Sequence, residues 1–270
     1  MAEANLDRRQ ALLYFASIGG IAVAGGASSL LAGRPPKTPS PAPKGTLARL
    51  PWPYRPLDPE AVGNRAYLGY GKHHCMYGTF EAIVGAVAEK LGAPYTDFPF
   101  EMFTYGMGGV HGWGTLCGCL NGCAAAIQVL SANPEPIIDE LYRWYQATAL
   151  PDFGPKGMAF ENVKSVAGSP LCHPSIAKWC EVSSKKAYSP ERKERCGVLT
   201  AAVARKCAML LNDQAAGKFV PATALDPRTK TCLSCHEKGG ALENMRSKQA
   251  CAPCHSDETL SGKGHQKIRL

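Results

Sequence analysis

The chain has 270 residues, of which 45% are hydrophobic and 19% are charged, and its net charge is +8. Its length and hydrophobic content predict a globular protein with one main domain and appended segments. No basic run is interleaved with aromatic residues, so the positive charge does not indicate nucleic-acid binding.

Residues 1–33 have a composition of their own. Arg8 and Arg9 precede an uncharged stretch rich in glycine and alanine, from Ala11 to Gly33. Paired arginines before a mildly hydrophobic run resemble a twin-arginine export signal, which predicts a periplasmic protein. The stretch is also long enough to cross a bilayer, so an uncleaved membrane anchor is the alternative interpretation.

Residues 34–59 are rich in proline. Proline is excluded from regular helices and interior strands, so this segment is predicted to be an extended, semi-rigid linker. The linker would hold a folded domain, residues 60–218, away from the signal or the membrane.

The folded domain contains three segments with apolar residues at helical spacing. The first covers residues 79–91 and ends at Gly92, which is typical of a helix C-terminus. The second begins at Pro134 after the predicted N-cap Asn133, and the third follows the predicted N-cap Ser189. Each segment is therefore predicted to be an amphipathic helix.

Between the first two helices lies a glycine-rich stretch, residues 106–118, followed by an alanine-rich one from about Cys119. Glycine favours an irregular loop with close backbone approach, whereas alanine favours a helix. No segment alternates apolar and polar residues as a half-buried strand does. The fold class predicted for the chain is mainly α.

Residues 219–270 contain the pattern Cys-x-x-Cys-His twice. This pattern is the signature of covalent c-type haem attachment, in which two thiols add across the haem vinyl groups and the histidine ligates the iron. A zinc knuckle or two disulfides would also use paired cysteines, but neither needs a histidine directly after both pairs. We predict a dihaem segment of little regular structure, with two haem c groups held by Cys232, Cys235 and His236 and by Cys251, Cys254 and His255.

Eight further cysteines lie in the folded domain, where they could be buried packing residues, disulfides or ligands of an iron–sulfur cluster. Cys196 and Cys207 are about 16 Å apart along a predicted helix and cannot share one cluster. Cys119 and Cys123 can lie on one helix face, where packing explains them as well as ligation does. Cys117 ends the glycine loop, where backbone amides could bond to cluster sulfurs, and is the better ligand candidate.

Four stretches of this domain together resemble a known family. They are HHCMYGTFEAIVGAVAEKLG, GMGGVHGWGTLCGCLNG, SPLCHPSIAKWC and RCGVLTAAVARKCAMLL. They are similar to the redox-associated family named for its C, GCAxxG, C, C cysteine pattern. With two C-terminal haem motifs and an export signal added, the whole chain resembles the split-Soret cytochromes c of sulfate-reducing bacteria.

The resemblance implies which cysteines are functional. The family positions correspond to Cys75, Cys117, Cys172 and Cys196, and Cys180 is an additional candidate. The run LCGCLNGCAAA aligns in more than one register, so Cys119 also stays a candidate. These six cysteines are the predicted ligands of an iron–sulfur cluster.

The resemblance also implies cofactors and assembly. It implies a homodimer in which each subunit carries two c-type haems, stacked near each other and near the dimer interface, and it implies an iron–sulfur cluster of the [2Fe-2S] or [4Fe-4S] type. Twin-arginine export moves folded proteins that often already hold a cofactor, so a cluster would account for that route.

The distal haem ligands have to come from elsewhere in the chain. His73, His74 and His111 are the favoured candidates, because two of them precede Cys75 and the third stands in the glycine loop. His265 and His173 rank lower, and methionine is more often a packing residue than a ligand. Two histidine ligands would close the iron to small molecules, whereas an open sixth position would permit catalysis.

The function predicted from these features is electron transfer by an exported dihaem cytochrome. Up to four haem propionates would lower the net charge from +8 to about +4, which suits docking to acidic redox partner proteins. A small multihaem reductase with one open haem site is the alternative, although no acid–base pair accompanies the haem motifs. A structural or sensory haem module is a third interpretation.

Overall fold

The computed structural model describes residues 49–255 of the chain. The export signal or anchor predicted in residues 1–33 lies outside this range. Within it the structure is mainly α, as predicted, and besides helices and turns it contains two isolated β-bridges. The α-helices are α1, Pro59–Leu91; α2, Gly118–Leu130; α3, Pro134–Ala147; α4, Cys172–Ser183; α5, Pro190–Ala215; and α6, Pro227–His236, with 3₁₀ helices at Tyr95–Asp97 and Phe100–Gly106.

Helix α1 is a helical hairpin rather than a straight rod. Its helical geometry breaks at His73 (φ −142°, ψ 26°) and His74 (φ 67°, ψ −167°). Arg65 Nε donates to both carboxylate oxygens of Glu81 at 3.2 Å, although a straight helix would hold these residues roughly 24 Å apart. The two halves therefore pack antiparallel, and the histidines lie at the tip of the hairpin.

Glycines allow the two halves of α1 to approach closely. A Cβ atom added at Gly78 would lie 2.8 Å from the carbonyl oxygen of Ala66, and one added at Gly69 would lie 3.0 Å from the Gly78 Cα atom. No larger residue fits at this crossing without moving backbone. The crossing fixes where the hairpin tip projects.

The predicted apolar face of residues 79–91 is buried in the core. Phe80, Ile83, Val84 and Val87 are fully buried, and the ring of Phe80 stacks on that of Phe103 with centroids 3.8 Å apart. Helices α2 and α5 also pack against α1 and complete this core. The second half of α1 is thereby the central element of the domain.

Two of the remaining helices of the folded domain were predicted from the sequence and one was not. The helices from Pro134 and after Ser189 are confirmed, and Ser189 Oγ caps α5 by accepting from Arg192 N at 3.2 Å. Asn133 is the N-cap of α3, but its side chain makes no capping hydrogen bond. Helix α4 was not predicted, because it is short, has no capping side chain before it and carries no continuous apolar stripe.

The two ends of the described range adopt defined structure. Trp52 and Leu57, in the last part of the proline-rich segment, are buried against the helices, and Trp52 N donates to Val129 O at 2.7 Å. At the other end, helix α6 carries the first haem motif, and residues 237–255 form turns and irregular structure. None of the helices described for residues 49–255 has the length and apolar character needed to span a bilayer. The domain boundaries given above stay predictions.

Candidate functional site

Five cysteines surround one cavity. The cavity has a volume of about 430 Å³ and lies between the α1 hairpin, the glycine loop and the N-terminal ends of helices α2, α4 and α5. Its cysteine residues are Cys75, Cys117, Cys119, Cys172 and Cys196. All five were candidate cluster ligands, and they come from four separate segments of the sequence.

A short backbone bridge places Cys117 beside Cys172. Leu116 and Leu171 form an antiparallel bridge, in which Cys117 N donates to Pro170 O at 2.9 Å and Cys172 N donates to Thr115 O at 2.7 Å. Cys117 is the N-cap of α2, and Cys172 is the first residue of α4. Both thiols thus lie at helix N-termini, whose partial positive charge favours thiolates.

Close helix packing places Cys75 beside α2. A Cβ atom at Gly118 would overlap the Cys75 sulfur, and one at Gly122 would overlap the Thr79 hydroxyl. The glycine side of α2 therefore lies directly against the second half of α1. Cys75, the first residue after the hairpin tip, is held in the cavity wall by this contact.

Cys119 lies near both Cys117 and Cys75. The thiol of Cys119 can donate to a thiolate at Cys117, and this hydrogen bond, helped by one from Tyr145 and opposed by burial, lowers the pKa of Cys117 to about 6. A hydrogen bond from Cys119 likewise lowers the pKa of Cys75. Thiolates are the form in which cysteine binds metals, so the lowered pKa values of Cys117 and Cys75 favour metal binding.

The other two cavity cysteines have more apolar surroundings. Burial raises the pKa of Cys172 and of Cys196, and the positive charge of Arg195 partly opposes the rise at Cys196. A bound metal would offset this cost by stabilising the thiolate.

The donor set fits an iron–sulfur cluster, which cysteine thiolates bind. Among residues 49–255, no three histidine, cysteine, aspartate or glutamate side chains converge closely enough to hold one metal ion. The five sulfurs instead surround a space, and iron–sulfur clusters are bound by cysteine thiolates that surround them. The glycines at positions 108, 112 and 114, which also line the cavity, leave room for such a group.

Three cysteines lie away from the cavity lining. Cys180, which was a candidate ligand, is partly exposed in the second half of α4. Cys123 and Cys207 are fully buried, and Cys123 Sγ donates to Val203 O at 3.8 Å. Contact between Cys123 and Cys207 raises the pKa of Cys123, after the larger effect of burial. All twelve cysteines are free thiols in this structure.

The two haem motifs meet in space. Burial raises the pKa of Cys251, the first residue of the second motif, and Cys232 of the first motif adds to the rise. Thr229 Oγ1, one turn before Cys232 on α6, accepts from Cys251 N at 3.1 Å. The attachment points of the two predicted haems are therefore adjacent.

The segment after the first motif folds back onto it. Leu242 N donates to Cys235 O at 2.9 Å and Met245 N donates to His236 O at 3.0 Å. Asn244 Oδ1 lies 2.7 Å from His236 Nδ1. If His236 Nδ1–H donates to Asn244, its Nε2 atom is left to bind iron, and the hydrogen bond fixes the ring orientation.

Helix α3 anchors the haem segment. Glu140, which is 2% exposed, accepts hydrogen bonds from Ala222 N and from both the backbone and the hydroxyl of Thr223. Gln146 Oε1 accepts from Ala250 N at 2.9 Å. Both haem motifs are thereby tied to one face of the helical domain.

The three candidate distal histidines are exposed. His73 and His74 occupy the hairpin tip, and His111 lies in the glycine loop with a φ of 47°. Only His74 of the three lines the cavity; His173, which ranked lower in the sequence, lines it as well. The signal that could have identified His173 is its position directly after Cys172. His255, in the second motif, is exposed.

The chain is similar to known proteins. Residues 77–210 match the model of a family described as a putative redox-active protein, C_GCAxxG_C_C, a range that begins two residues after Cys75. The split-Soret cytochrome c of Desulfovibrio desulfuricans is 41% identical over 219 residues, which are 76% of this chain and 77% of that protein. The chain belongs to the split-Soret cytochrome c family.

A solved structure of a split-Soret cytochrome c is also similar. It is described as a novel iron centre in the protein from Desulfovibrio desulfuricans, is 36% identical, and matches with a TM-score of 0.73 over 80% of this chain and 95% of that one. The mainly helical architecture is thus that of the split-Soret family.

Proposed function

We propose that this chain is an exported electron-transfer protein: a homodimeric dihaem c-type cytochrome with closely stacked haems and an iron–sulfur cluster in the cysteine cavity. It passes single electrons between redox partner proteins. The observation that carries the proposal is the hydrogen bond from Cys251 N, in the second haem motif, to Thr229 Oγ1, which lies one turn before Cys232 of the first motif. Two haems attached at adjacent thiols are held close together.

The cluster rests on the five cavity cysteines. Cys119 lies near both Cys75 and Cys117, and helix N-termini face the cavity at Cys117 and Cys172. The related protein from Desulfovibrio desulfuricans is described as having a novel iron centre. The cluster, of the [2Fe-2S] or [4Fe-4S] type, would supply a further one-electron redox step.

The dimer supplies the distal haem ligands. His73, His74 and His111 are exposed, and the cavity lined by His74 receives no residue from either haem motif within the described range. A haem of a second subunit that binds at the hairpin tip would lie next to Cys75. Electrons would then pass between haem and cluster over a short distance.

Export is proposed from Arg8 and Arg9 and the uncharged stretch that follows them. The haems are attached outside the cytoplasm, which requires export, and the proposed location is the periplasm. The proline-rich segment would then act as a spacer, or as a tether if the N-terminal segment stays in the membrane.

The test is iron and acid-labile sulfide analysis of holoprotein made in a host with haem-attachment machinery, together with its visible spectrum and its mass in solution. We expect more iron than the two haems account for, acid-labile sulfide, a split Soret band and a dimer. Two irons per chain without sulfide would remove the cluster from the proposal. A monomeric holoprotein would contradict the proposal that a second subunit supplies the distal haem ligands.

Histidine variants test the distal ligands separately. We expect that His→Ala changes at two of positions 73, 74 and 111 each convert one haem from low spin to high spin, while His265→Ala leaves both haems low spin. A wild-type ferric haem that is already high spin and binds cyanide readily would contradict two-histidine ligation. That result would favour the reductase alternative.

A further inference from the structure

Arg195 is a buried positive charge in the wall of the cysteine cavity. Its side chain is 1% exposed, and it lies near the N-terminal end of α5, directly before Cys196. Its Nη2 atom donates to Ser175 Oγ at 3.1 Å, and its Nε atom has no hydrogen-bond partner. Within residues 49–255, no aspartate or glutamate forms an ion pair with it.

A buried guanidinium without a carboxylate is unfavourable unless another anion balances it. Taking a charge out of water costs several kcal/mol, and a buried cation is therefore normally paired. Arg195 lines the cavity together with five cysteines, and one of them, Cys196, follows it directly in the chain. The anions available to Arg195 are thus the sulfurs of the cavity.

Arg195 is also connected to Cys117 through hydroxyl groups. The Ser175 hydroxyl that accepts from Arg195 is hydrogen bonded to the Tyr145 hydroxyl at 3.0 Å. Tyr145 in turn reaches Cys117, whose pKa its hydrogen bond lowers after the larger contribution from Cys119. All of Arg195, Ser175 and Tyr145 are buried, so this network is shielded from water.

We propose that Arg195 is the fixed positive charge that balances an anionic iron–sulfur centre in the cysteine cavity and raises its reduction potential. The inference rests on the proposed function, because it needs a cluster in the cavity. Reduction adds one electron to the centre and so one negative charge. A cation held nearby stabilises the reduced form more than the oxidised form, and burial strengthens this effect.

The test compares two substitutions of Arg195 in the full-length holoprotein. Arg195→Gln removes the charge but keeps an amide donor, whereas Arg195→Lys keeps the charge. The potential of the cluster is measured by a redox titration followed by electron paramagnetic resonance, which separates the cluster from the haems. Iron and sulfide content is measured on the same samples.

Arg205→Gln is the matched control. Arg205 lies on the same helix about 15 Å further along, its Nε atom is also without a partner, and its guanidinium lies 5.3 Å from the centre of the Phe153 ring. It does not line the cavity. The control therefore removes the same charge from the same helix at a distance from the cluster.

We expect Arg195→Gln to lower the equilibrium constant for one-electron reduction of the cluster at least tenfold, which corresponds to about 59 mV. Arg195→Lys and Arg205→Gln are expected to change it less than about threefold, or roughly half that shift. A loaded Arg195→Gln cluster with the wild-type potential would overturn this inference alone and leave the proposed function intact.

If Arg195→Gln does not retain the cluster, the cluster content of the two Arg195 variants decides the outcome. A cluster retained by Arg195→Lys and lost from Arg195→Gln would support the role of the charge. Loss from both variants would overturn it, because the charge would not be what the centre requires. Wild-type protein without sulfide would overturn both the proposed cluster and the inference built on it.

Discussion

Gly118 lies so close to Cys75 that a Cβ atom at position 118 would overlap the cysteine sulfur. The same added atom would lie 2.7 Å from the carbonyl oxygen of Gly106. The carbonyl belongs to the backbone and cannot rotate away. The absence of a side chain at position 118 is therefore what allows Cys75 to lie beside Cys119.

Gly118→Ala is predicted to displace Cys75 from the cavity. Overpacking of this kind costs about 1–3 kcal/mol, and the relaxation would move the sulfur or separate α1 from α2. We expect the holoprotein to lose most of its acid-labile sulfide while keeping both haems. Gly71→Ala is the control, because no atom lies within 4 Å of its added Cβ. Full sulfide content in Gly118→Ala would show that Cys75 is not needed.

Two cysteines of helix α5 should behave differently. Cys196 lines the cavity, whereas Cys207 is buried in the core beside Cys123. We expect Cys196→Ala to lose cluster iron, and Cys207→Ala to keep all of it and to lose only about 1 kcal/mol of unfolding free energy. Iron analysis and denaturant unfolding measure the two effects. A cluster that survives Cys196→Ala would exclude Cys196 as a required ligand.

The sequence alone predicted those features that depend on residues adjacent in the chain. The haem motifs and the helices after Ser189 and Asn133 are encoded by adjacent residues. The first half of α1 and the break after it were not predicted. Nothing at His73 or His74 signals a break, because neither is proline and a histidine rarely adopts the positive φ seen at position 74. Without the break, the prediction had no hairpin and no exposed tip.

The cysteine spacing alone could not predict which residues line the cavity. The run LCGCLNGCAAA could not decide among Cys117, Cys119 and Cys123, whereas the start of α2 at Gly118 places the first two in the cavity and the third one turn further, in the core. Arg195 was overlooked because a charged residue near a helix start is usually solvated. Its burial depends on four segments that meet only in the folded chain.

Asn244 is predicted to tune one of the two haems. Its Oδ1 atom lies 2.7 Å from His236 Nδ1, opposite the nitrogen that would bind iron. Asn244→Asp places a negative charge on the group that accepts this hydrogen bond. The imidazole then donates more electron density to the iron, which stabilises ferric iron. We expect the reduction potential of one haem to fall while that of the other changes much less.

A spectroelectrochemical titration resolves the two haem potentials of the Asn244 variant. Asn162→Asp adds the same charge at a half-buried asparagine in the loop before α4, and is expected to leave both potentials near the wild-type values. An equal shift of both haems in Asn244→Asp would contradict a specific effect through His236.

Glu140 is predicted to stabilise the attachment of the haem segment in a pH-dependent way. Burial raises the pKa of its carboxyl group, but the hydrogen bonds from Thr223 and Ala222 outweigh burial and lower the pKa below its ordinary value of 4.5. A carboxyl group with a lowered pKa stabilises the fold above its unfolded-state pKa. This stabilisation is lost as the pH falls through the folded-state pKa.

Glu140→Gln should therefore reduce the unfolding free energy at neutral pH by about 1–3 kcal/mol, because hydrogen bonds to a buried charge are lost. The difference from wild type should shrink as the pH falls below 4.5, where wild-type Glu140 also becomes neutral. Glu135→Gln on the same helix removes only an exposed pair with Lys248 and should have a much smaller effect. A Glu140→Gln defect that stays constant down to acid pH would mean that shape, rather than charge, holds the haem segment on α3.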